Sequence, residues 1–256
     1  MKKLFSFGKK QQSRDLTAQQ ERAMILSADT GFHVTEAYKA VRTNTMFSLP
    51  GKGCKKIAVT SSFMREGKST TCINLAITFA QTGARVLVLD ADMRKPTIHR
   101  KLDRVNDKGL AHLLGAFCTL EEAIIHTEHD NLDIITSGHI PPNPAELLAS
   151  EAMTELLAEL EKQYDYIFID TPPVNVVTDA AVLAQSVSGM IVVVRQDTTH
   201  HKEVQNTLER LEFAQAKILG FILHGVKEEK HVYGKYGKYD YSRYGYKTNP
   251  YVQESN

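Results

Sequence analysis

The chain has 256 residues, 42% of them apolar and 24% charged, which is enough for one large globular domain or two small ones. Its 31 basic and 30 acidic side chains give a net charge of +1, so no overall electrostatic field favours nucleic acid as a partner. The three cysteines are widely spaced and form no C-x-x-C pair, which favours a reducing compartment, and no apolar run reaches the roughly 18 residues of a membrane span. We expect one soluble, cytoplasmic α/β domain with tails.

The first 30 residues are predicted to form a partly disordered arm. Its apolar stretch is too short for the core of a signal peptide. The arm is either fully solvated or makes a weak contact with an anionic membrane surface through its basic side chains. These side chains are Lys2, Lys3, Lys9 and Lys10.

Short apolar segments alternate with longer helical patterns across residues 31–226, the predicted folded domain. Most of the apolar segments are continuous, as strands of a parallel sheet covered on both faces require. We expect strands at residues 57–60, 86–89, 132–136, 166–169, 190–194 and 218–223. We expect helices at residues 35–47, 68–82, 144–163, 179–185 and 202–213, with Thr35, Asn143 and Thr178 as caps. This order predicts a doubly wound, mostly parallel α/β sheet with helices on both faces.

A phosphate-binding loop is predicted between the first strand and the helix that begins at Lys68. In this loop, Ser62 stands where the pattern G-x-x-x-x-G-K-[ST] has its first glycine. Backbone N–H groups at a helix start cradle phosphate oxygens, the lysine reaches the β- and γ-phosphates, and the hydroxyl ligates Mg²⁺. Nucleotide contacts are therefore predicted at Arg65, Glu66, Gly67, Lys68, Ser69 and Thr70.

Carboxylates follow two of the other predicted strands. Asp90 and Asp92 follow residues 86–89, and Asp170 follows residues 166–169. Ligands of open α/β sheets bind at the carboxyl ends of the strands. If the extended path continues, Asp90 and Asp92 point to the same side and face one metal and one phosphate. Each acid alone is compatible with ordinary loop capping, but three such elements at three strand ends indicate a P-loop nucleotide site.

The predicted chemistry is phosphoryl transfer from ATP with Mg²⁺. Because Mg²⁺ prefers oxygen ligands and keeps several waters, Ser69, Asp92 and Asp170 form a sufficient protein ligand set. Lys68, Asp90 and Asp92 are the predicted catalytic residues. Lys68 stabilises charge on the phosphates, and Asp90 is the candidate to accept the proton of the acceptor hydroxyl.

Residues 227–256 are predicted to be a flexible tail that serves as the phosphate acceptor. Seven of the ten tyrosines lie there, alternating with Gly and Lys in a segment that cannot build a core. They are Tyr233, Tyr236, Tyr239, Tyr241, Tyr244, Tyr246 and Tyr251.

With these residues the chain resembles the bacterial tyrosine kinases, in the separate cytoplasmic form found in Gram-positive bacteria. The resemblance covers residues 36–226 and includes the tyrosine-rich end. Its most specific segments are residues 66–71, 89–96, 138–148 and 169–173. It implies an ATP- and Mg²⁺-dependent protein-tyrosine kinase that phosphorylates its own C-terminal tyrosines between subunits and regulates capsular or exopolysaccharide synthesis.

The resemblance also implies partners. Glu36, Lys39 and Arg42 match the family's E-x-x-R-x-x-R pattern, which is associated with ring-like homo-oligomers. A transmembrane activator of the polysaccharide copolymerase type, further protein tyrosine substrates and a place at the inner face of the cell membrane are implied in the same way.

The chain departs from the family pattern at three places. Lys39 replaces an arginine, Met64-Arg65 replaces Pro-Gly, and His224 replaces the asparagine that usually ends the last strand. These changes put ring contacts and adenine contacts in question, but the lysine, hydroxyl and carboxylates of the site remain. Two other functions stay open, a positioning ATPase of the partitioning or septum-site type and a nucleotide-binding scaffold without transfer activity.

Overall fold

The computed structural model describes residues 17–226, which form a seven-stranded sheet in the order β3-β4-β2-β5-β1-β6-β7. Strand β3 is antiparallel to β4, and the other neighbouring strands are parallel. The strands are β1 (Lys55–Ser61), β2 (Val86–Asp90), β3 (Ile124–His126), β4 (Leu132–Ile135), β5 (Tyr166–Asp170), β6 (Gly189–Arg195) and β7 (Ile218–His224). The predicted doubly wound, mostly parallel sheet is confirmed.

Helices cover both faces of this sheet. Their bounds are α1 (Ala18–Arg22), α2 (Phe32–Ser48), α3 (Lys68–Ala80), α4 (Ile98–Lys101), α5 (Leu110–Leu114), α6 (Leu120–Ala123), α7 (Pro144–Leu148), α8 (Glu151–Leu160), α9 (Asp179–Val182) and α10 (His201–Phe213), with a 3₁₀ turn at Ala184–Ser186. Alternate residues of each central strand face opposite layers: Ile57 and Val59 pack towards α3, and Ala58 packs towards α8 and α10. Burial on both faces explains why the central strands read as continuous apolar runs.

Several predicted boundaries were wrong for local reasons. The helix predicted at residues 144–163 is two helices, because the Ser150 side chain accepts the N–H of Met153 and starts α8. Helix α2 begins at Phe32 instead of after Thr35, whose hydroxyl donates to the Gly31 carbonyl at 3.4 Å. The side chains predicted to cap α7 and α9 make no capping hydrogen bond within the described residues. Strand β3 and helices α4 to α6 are three to five residues long and were missed, because so short a segment carries little periodicity.

Part of the predicted N-terminal arm packs on the domain. The side chain of Asn74 on α3 accepts the N–H of Leu26 at 2.9 Å and donates to the carbonyl of Met24 at 2.9 Å. Ile25 and Leu26 are buried in the layer beside α3. Residues 17–30 thus contribute to the folded domain, and residues 1–16, with the four lysines of the arm, lie outside the described residues.

Residues 17–226 bear on the expectations about membrane spans and about cysteine pairing. Within them, no helix is both long and apolar enough to cross a membrane. The three cysteines are unpaired; Cys72 is buried, whereas Cys54 and Cys118 are half-buried.

Candidate functional site

The predicted phosphate loop lies where β1 ends and α3 begins. Gly67 has a left-handed backbone with φ of 96° and immediately precedes Lys68, the first residue of α3. Lys68, Ser69 and Thr70 are all buried. The loop therefore turns sharply into the start of a 13-residue helix, where free backbone N–H groups and the helix dipole favour an anion.

The amine of Lys68 lies among acidic side chains. Its Nζ is 2.7 Å from Oδ2 of Asp92 and 3.4 and 3.5 Å from the two carboxylate oxygens of Asp170. Burial alone would lower the pKa of Lys68, but attraction by Asp170 and Asp92 outweighs burial and raises it. Lys68 is therefore a cation held between the ends of β2 and β5, adjacent strands in which Asp90 pairs with Asp170.

Asp90 is completely buried at the end of β2. Its two carboxylate oxygens accept the backbone N–H groups of Asp92 at 3.2 Å and Ile98 at 3.3 Å. Burial and then repulsion by Asp170 raise the pKa of Asp90 well above its ordinary value. Both oxygens thus shape the loop between β2 and α4, a geometry that favours a supporting role over the predicted role of Asp90 as the acceptor of a tyrosine proton.

The oxygen atoms predicted to hold Mg²⁺ come together. The Ser69 hydroxyl accepts Nζ of Lys68 at 3.2 Å, and the same amine contacts both carboxylate oxygens of Asp170. Burial raises the pKa of Asp170. Asp92 is joined to Asp170 through the amine of Lys68. Among residues 17–226, no three His, Cys, Asp or Glu side chains are arranged to hold a metal by themselves. This donor set fits a Mg²⁺ ion that takes its remaining ligands from phosphate and water.

The hydroxyl of Thr71 also fits a bound anion. Thr71 lies in the first turn of α3 and is fully buried. Its Oγ1 has no hydrogen-bond partner among the described residues. Buried hydroxyls are normally satisfied, and a phosphate oxygen at the start of α3 would provide the missing partner.

Glu66 was predicted to contact the nucleotide, but its carboxylate is engaged within the protein. It accepts the N–H of Phe63 at 3.0 Å and forms a short hydrogen bond with the hydroxyl of Thr199 in the segment between β6 and α10. Glu66 thereby organises the loop through a contact 133 residues away in sequence. No local pattern in the sequence marks Thr199 for this role.

Arg65, one of the departures from the family pattern, has a backbone conformation that favours glycine. Arg65 is exposed and has a φ of 68°, and its carbonyl accepts Nη1 of Arg195 at 2.9 Å. A left-handed backbone favours glycine, which is the residue that the family usually has here. The arginine adds a positive side chain to the loop at some cost in backbone strain.

His224 packs directly on the phosphate loop. A Cβ atom added to Gly67 would lie 2.5 Å from Cδ2 of the His224 ring, so glycine is required by contact as well as by backbone conformation. Burial, followed by the charges of Arg195 and Lys101, lowers the pKa of His224. A neutral imidazole therefore supports the turn at neutral pH.

Replacing Gly67 with Ala is expected to lower the free energy of unfolding by more than about 1–3 kcal/mol, the usual cost of a strained backbone. Gly83→Ala is a matched control, because Gly83 has a φ of 85° and nothing lies within 4 Å of its added Cβ. Urea denaturation should show the larger loss for Gly67→Ala, and a His224→Ala change should recover the excess. Equal losses for the two glycine variants would contradict the steric role of His224.

The predicted oligomerisation residues lie on α2. The amine of Lys39 is 2.8 Å from the carboxylate of Glu36, and Nη1 of Arg42 donates to the carbonyl of Thr78 on α3 at 2.7 Å. Arg42 therefore also helps to fix α2 on α3. Their role between subunits stays a prediction.

The seven predicted acceptor tyrosines lie outside the described residues, and so does the predicted tail of residues 227–256. The remaining three, Tyr38, Tyr164 and Tyr166, belong to the folded domain. The Tyr164 hydroxyl donates to Asp133 at 2.8 Å, and the Tyr166 ring lies 4.5 Å from that of Phe79. Tyr164 and Tyr166 lie at the amino end of β5, the end opposite to Asp170.

The chain is similar in sequence and in fold to known bacterial kinases. Residues 54–219 match the family described as the AAA domain. The chain is 41% identical to tyrosine-protein kinase YwqD of Bacillus subtilis over 80% of this chain and 87% of that one, and 37% identical to tyrosine-protein kinase CpsD of Streptococcus agalactiae over 80% and 89%. The kinase domain of Escherichia coli tyrosine kinase ETK superposes with a TM-score of 0.74 at 35% identity, covering 80% of each chain. On this evidence the chain belongs to the family of bacterial tyrosine kinases.

Proposed function

We propose that this kinase transfers the γ-phosphoryl group of ATP to the C-terminal tyrosines of a neighbouring subunit. The observation that carries the proposal is the position of Lys68, whose amine lies within 3.5 Å of both Asp92 and Asp170 at the start of a buried helix. A cation, a hydroxyl and two carboxylates thereby meet at the carboxyl edge of a parallel sheet, where nucleotides bind.

Each residue has a distinct part in this proposal. The backbone N–H groups at the start of α3 and the amine of Lys68 bind and orient the phosphates, and Lys68 stabilises the charge that develops on them. Ser69, Asp92 and Asp170 would hold Mg²⁺, which neutralises phosphate charge when it is bound. Asp90 holds the loop that carries Asp92.

The tyrosine-rich C-terminal segment favours kinase activity over ATP hydrolysis alone. Seven tyrosines in a Gly- and Lys-rich segment have no use in a positioning ATPase. We further propose a ring-like homo-oligomer that uses Glu36, Lys39 and Arg42, a transmembrane activator of the polysaccharide copolymerase type, and a location at the inner face of the membrane through that activator. Control of capsular or exopolysaccharide synthesis and phosphorylation of other proteins belong to the same proposal.

Phosphotyrosine detection on the purified full-length chain, incubated with ATP and with or without Mg²⁺, tests the proposal. Label that requires both ATP and Mg²⁺ is the expected result. Hydrolysis of ATP without tyrosine label would indicate a positioning ATPase instead. Nucleotide binding with neither hydrolysis nor label would indicate a scaffold.

Stabilisation by nucleotide should depend on pH in a defined direction. Asp90 and Asp170 have folded-state pKa values raised above the ordinary 3.8, so the stability that they contribute is fully present below about pH 3.8 and is lost as pH rises through the raised values. Metal binding needs the carboxylate of Asp170 ionised. The gain in melting temperature from Mg²⁺ and a non-hydrolysable ATP analogue should therefore be larger at pH 8 than at pH 5.5.

Thermal unfolding at both pH values checks this expectation. Asp90→Asn removes one buried acid and should make the nucleotide-free protein less sensitive to pH. A stabilisation that is equal at the two pH values would contradict the assignment of Asp170 to the metal site.

A further inference from the structure

An ion pair outside the nucleotide contacts joins two loops of the site. Nε of Arg94 is 2.9 Å from Oδ2 of Asp179, and Nη2 of Arg94 is 2.9 Å from Oδ1. This is the two-pronged geometry in which arginine fixes both position and orientation of a carboxylate. Asp179 is completely buried at the first position of α9, whereas the Arg94 side chain is 39% exposed. The ion pair therefore holds the Arg94 side chain in a defined position against the start of α9.

The ion pair links the two loops that carry the metal-binding carboxylates. Arg94 lies two residues after Asp92, in the segment between β2 and α4. Asp179 is the first residue of α9, directly after the segment that begins at Asp170 at the end of β5. Strands β2 and β5 are adjacent in the sheet, so the segments that follow them are already joined at one end. The ion pair joins them a second time. Asp92, Arg94, Asp179 and Asp170 thus lie on a closed ring of chain segments.

Other contacts support this ring from both sides. The N–H of Ala91 donates to the carbonyl of Asp170 at 2.8 Å, which joins the loops at their origin. The N–H of Lys95 donates to Oδ1 of Asp92 at 3.0 Å, which orients the carboxylate whose other oxygen contacts Lys68. The hydrogen bond to Asp179 and the charges of Asp179 and Glu146 raise the pKa of Arg94, so its guanidinium group stays charged.

We propose that Arg94 and Asp179 are positioning residues that keep Asp92 and Asp170 at the separation required to bind one Mg²⁺ ion together with the nucleotide. This inference rests on the proposed function of the site. Neither residue needs to touch the metal or the nucleotide, because both act through the loops they join. Partners that orient metal ligands typically contribute 10- to 100-fold to metal affinity.

The informative variants remove the pair without leaving a charge buried alone. Arg94→Gln by itself strands the buried carboxylate of Asp179, so the double variant Arg94→Gln with Asp179→Asn is the main test. Arg94→Lys is a milder second variant, since it keeps the positive charge and loses the two-pronged geometry. Each is made in the full-length chain.

The matched control is an ion pair at the opposite end of the same two strands. Nη2 of Arg85, just before β2, is 3.3 Å from Oδ1 of Asp165, just before β5. Arg85→Gln with Asp165→Asn makes the same chemical change between the same strands, away from the metal ligands. It reports any effect that comes from loosening the sheet alone.

The measurement is the Mg²⁺ concentration that half-saturates binding of a fluorescent non-hydrolysable ATP analogue, with urea denaturation in parallel. We expect this concentration to rise about 10-fold for the Arg94/Asp179 double variant, to rise less for Arg94→Lys, and to stay unchanged for the Arg85/Asp165 control. An unchanged value in both Arg94 variants, or an equal rise in the control, would overturn the inference. Nucleotide binding by the unaltered protein that is independent of Mg²⁺ would instead refute the proposed function.

Discussion

Replacing Lys68 with Met is expected to reduce tyrosine phosphorylation by at least about 10²–10³-fold, the usual effect of removing one group that stabilises transition-state charge. The same change leaves Asp92 and Asp170 without their shared cation in a buried site. Breaking a buried ion pair on one side costs about 3–5 kcal/mol, so the nucleotide-free protein should also be less stable. The stability loss should shrink at lower pH, because protonation of the stranded Asp170, whose pKa is already raised by burial, relieves it.

Phosphotyrosine detection and urea denaturation at pH 6 and pH 8 measure the two effects. Lys56→Met is the matched control: Lys56 lies on β1, is half-buried and is paired with Glu161, at the amino end of the strand that leads into the phosphate loop. It should retain phosphorylation. Label that persists in the Lys68→Met protein would show that another kinase is present or that Lys68 is dispensable.

Replacing all seven tail tyrosines with Phe is expected to remove the phosphotyrosine signal almost completely while nucleotide binding is retained. The substitution deletes only the acceptor hydroxyls. The three other tyrosines are poor acceptors by their position or environment. Burial raises the pKa of Tyr164 and of Tyr166 at the amino end of β5, and Tyr38 on α2 is partly buried against the core layer that contains α3.

A mixing experiment then tests transfer between subunits. The Lys68→Met chain has an intact tail and no competent site, and the seven-Phe chain has an intact site and no tail acceptor. Neither should become labelled alone, but a mixture should label the Lys68→Met chain, which a size tag distinguishes. Absence of label in a mixture that forms mixed oligomers would contradict transfer between neighbours, and label on the seven-Phe chain would place acceptors inside the folded domain.

The parts of the site that lie within one short segment were predictable from sequence. Lys68 and Ser69 follow a strand and start a helix, and Asp170 ends an apolar run, so their places follow from strand order and spacing. The fold class followed from the same alternation of strands and helices. These features are local, and a pattern of a few residues is sufficient to define them.

The contacts that orient this site were not predictable, because they join distant segments. Thr199 meets Glu66 across 133 residues, and Arg94 meets Asp179 across 85. The hydrogen bonds of Asp90 could not be predicted either. Its carboxylate accepts the N–H groups of Asp92 and Ile98, which lie beyond the end of β2, where the alternation of an extended strand no longer applies. The predicted caps of α7 and α9 were also wrong. Asn143 and Thr178 are favourable residue types, but a residue type does not guarantee the backbone conformation that a cap requires.

The contact of Lys68 with two acids has a consequence for the order of ligand exchange. In the nucleotide-free protein the amine already has partners, so an incoming triphosphate must compete with Asp92 and Asp170 for it. A triphosphate that arrives without a divalent ion would bind Lys68 and would then be repelled by the nearby carboxylates of Asp92 and Asp170. A divalent ion bound to the triphosphate would give Asp92 and Asp170 a positive partner in place of Lys68. Under the proposed function, the nucleotide-free site would therefore favour the metal-loaded triphosphate before any catalytic step begins.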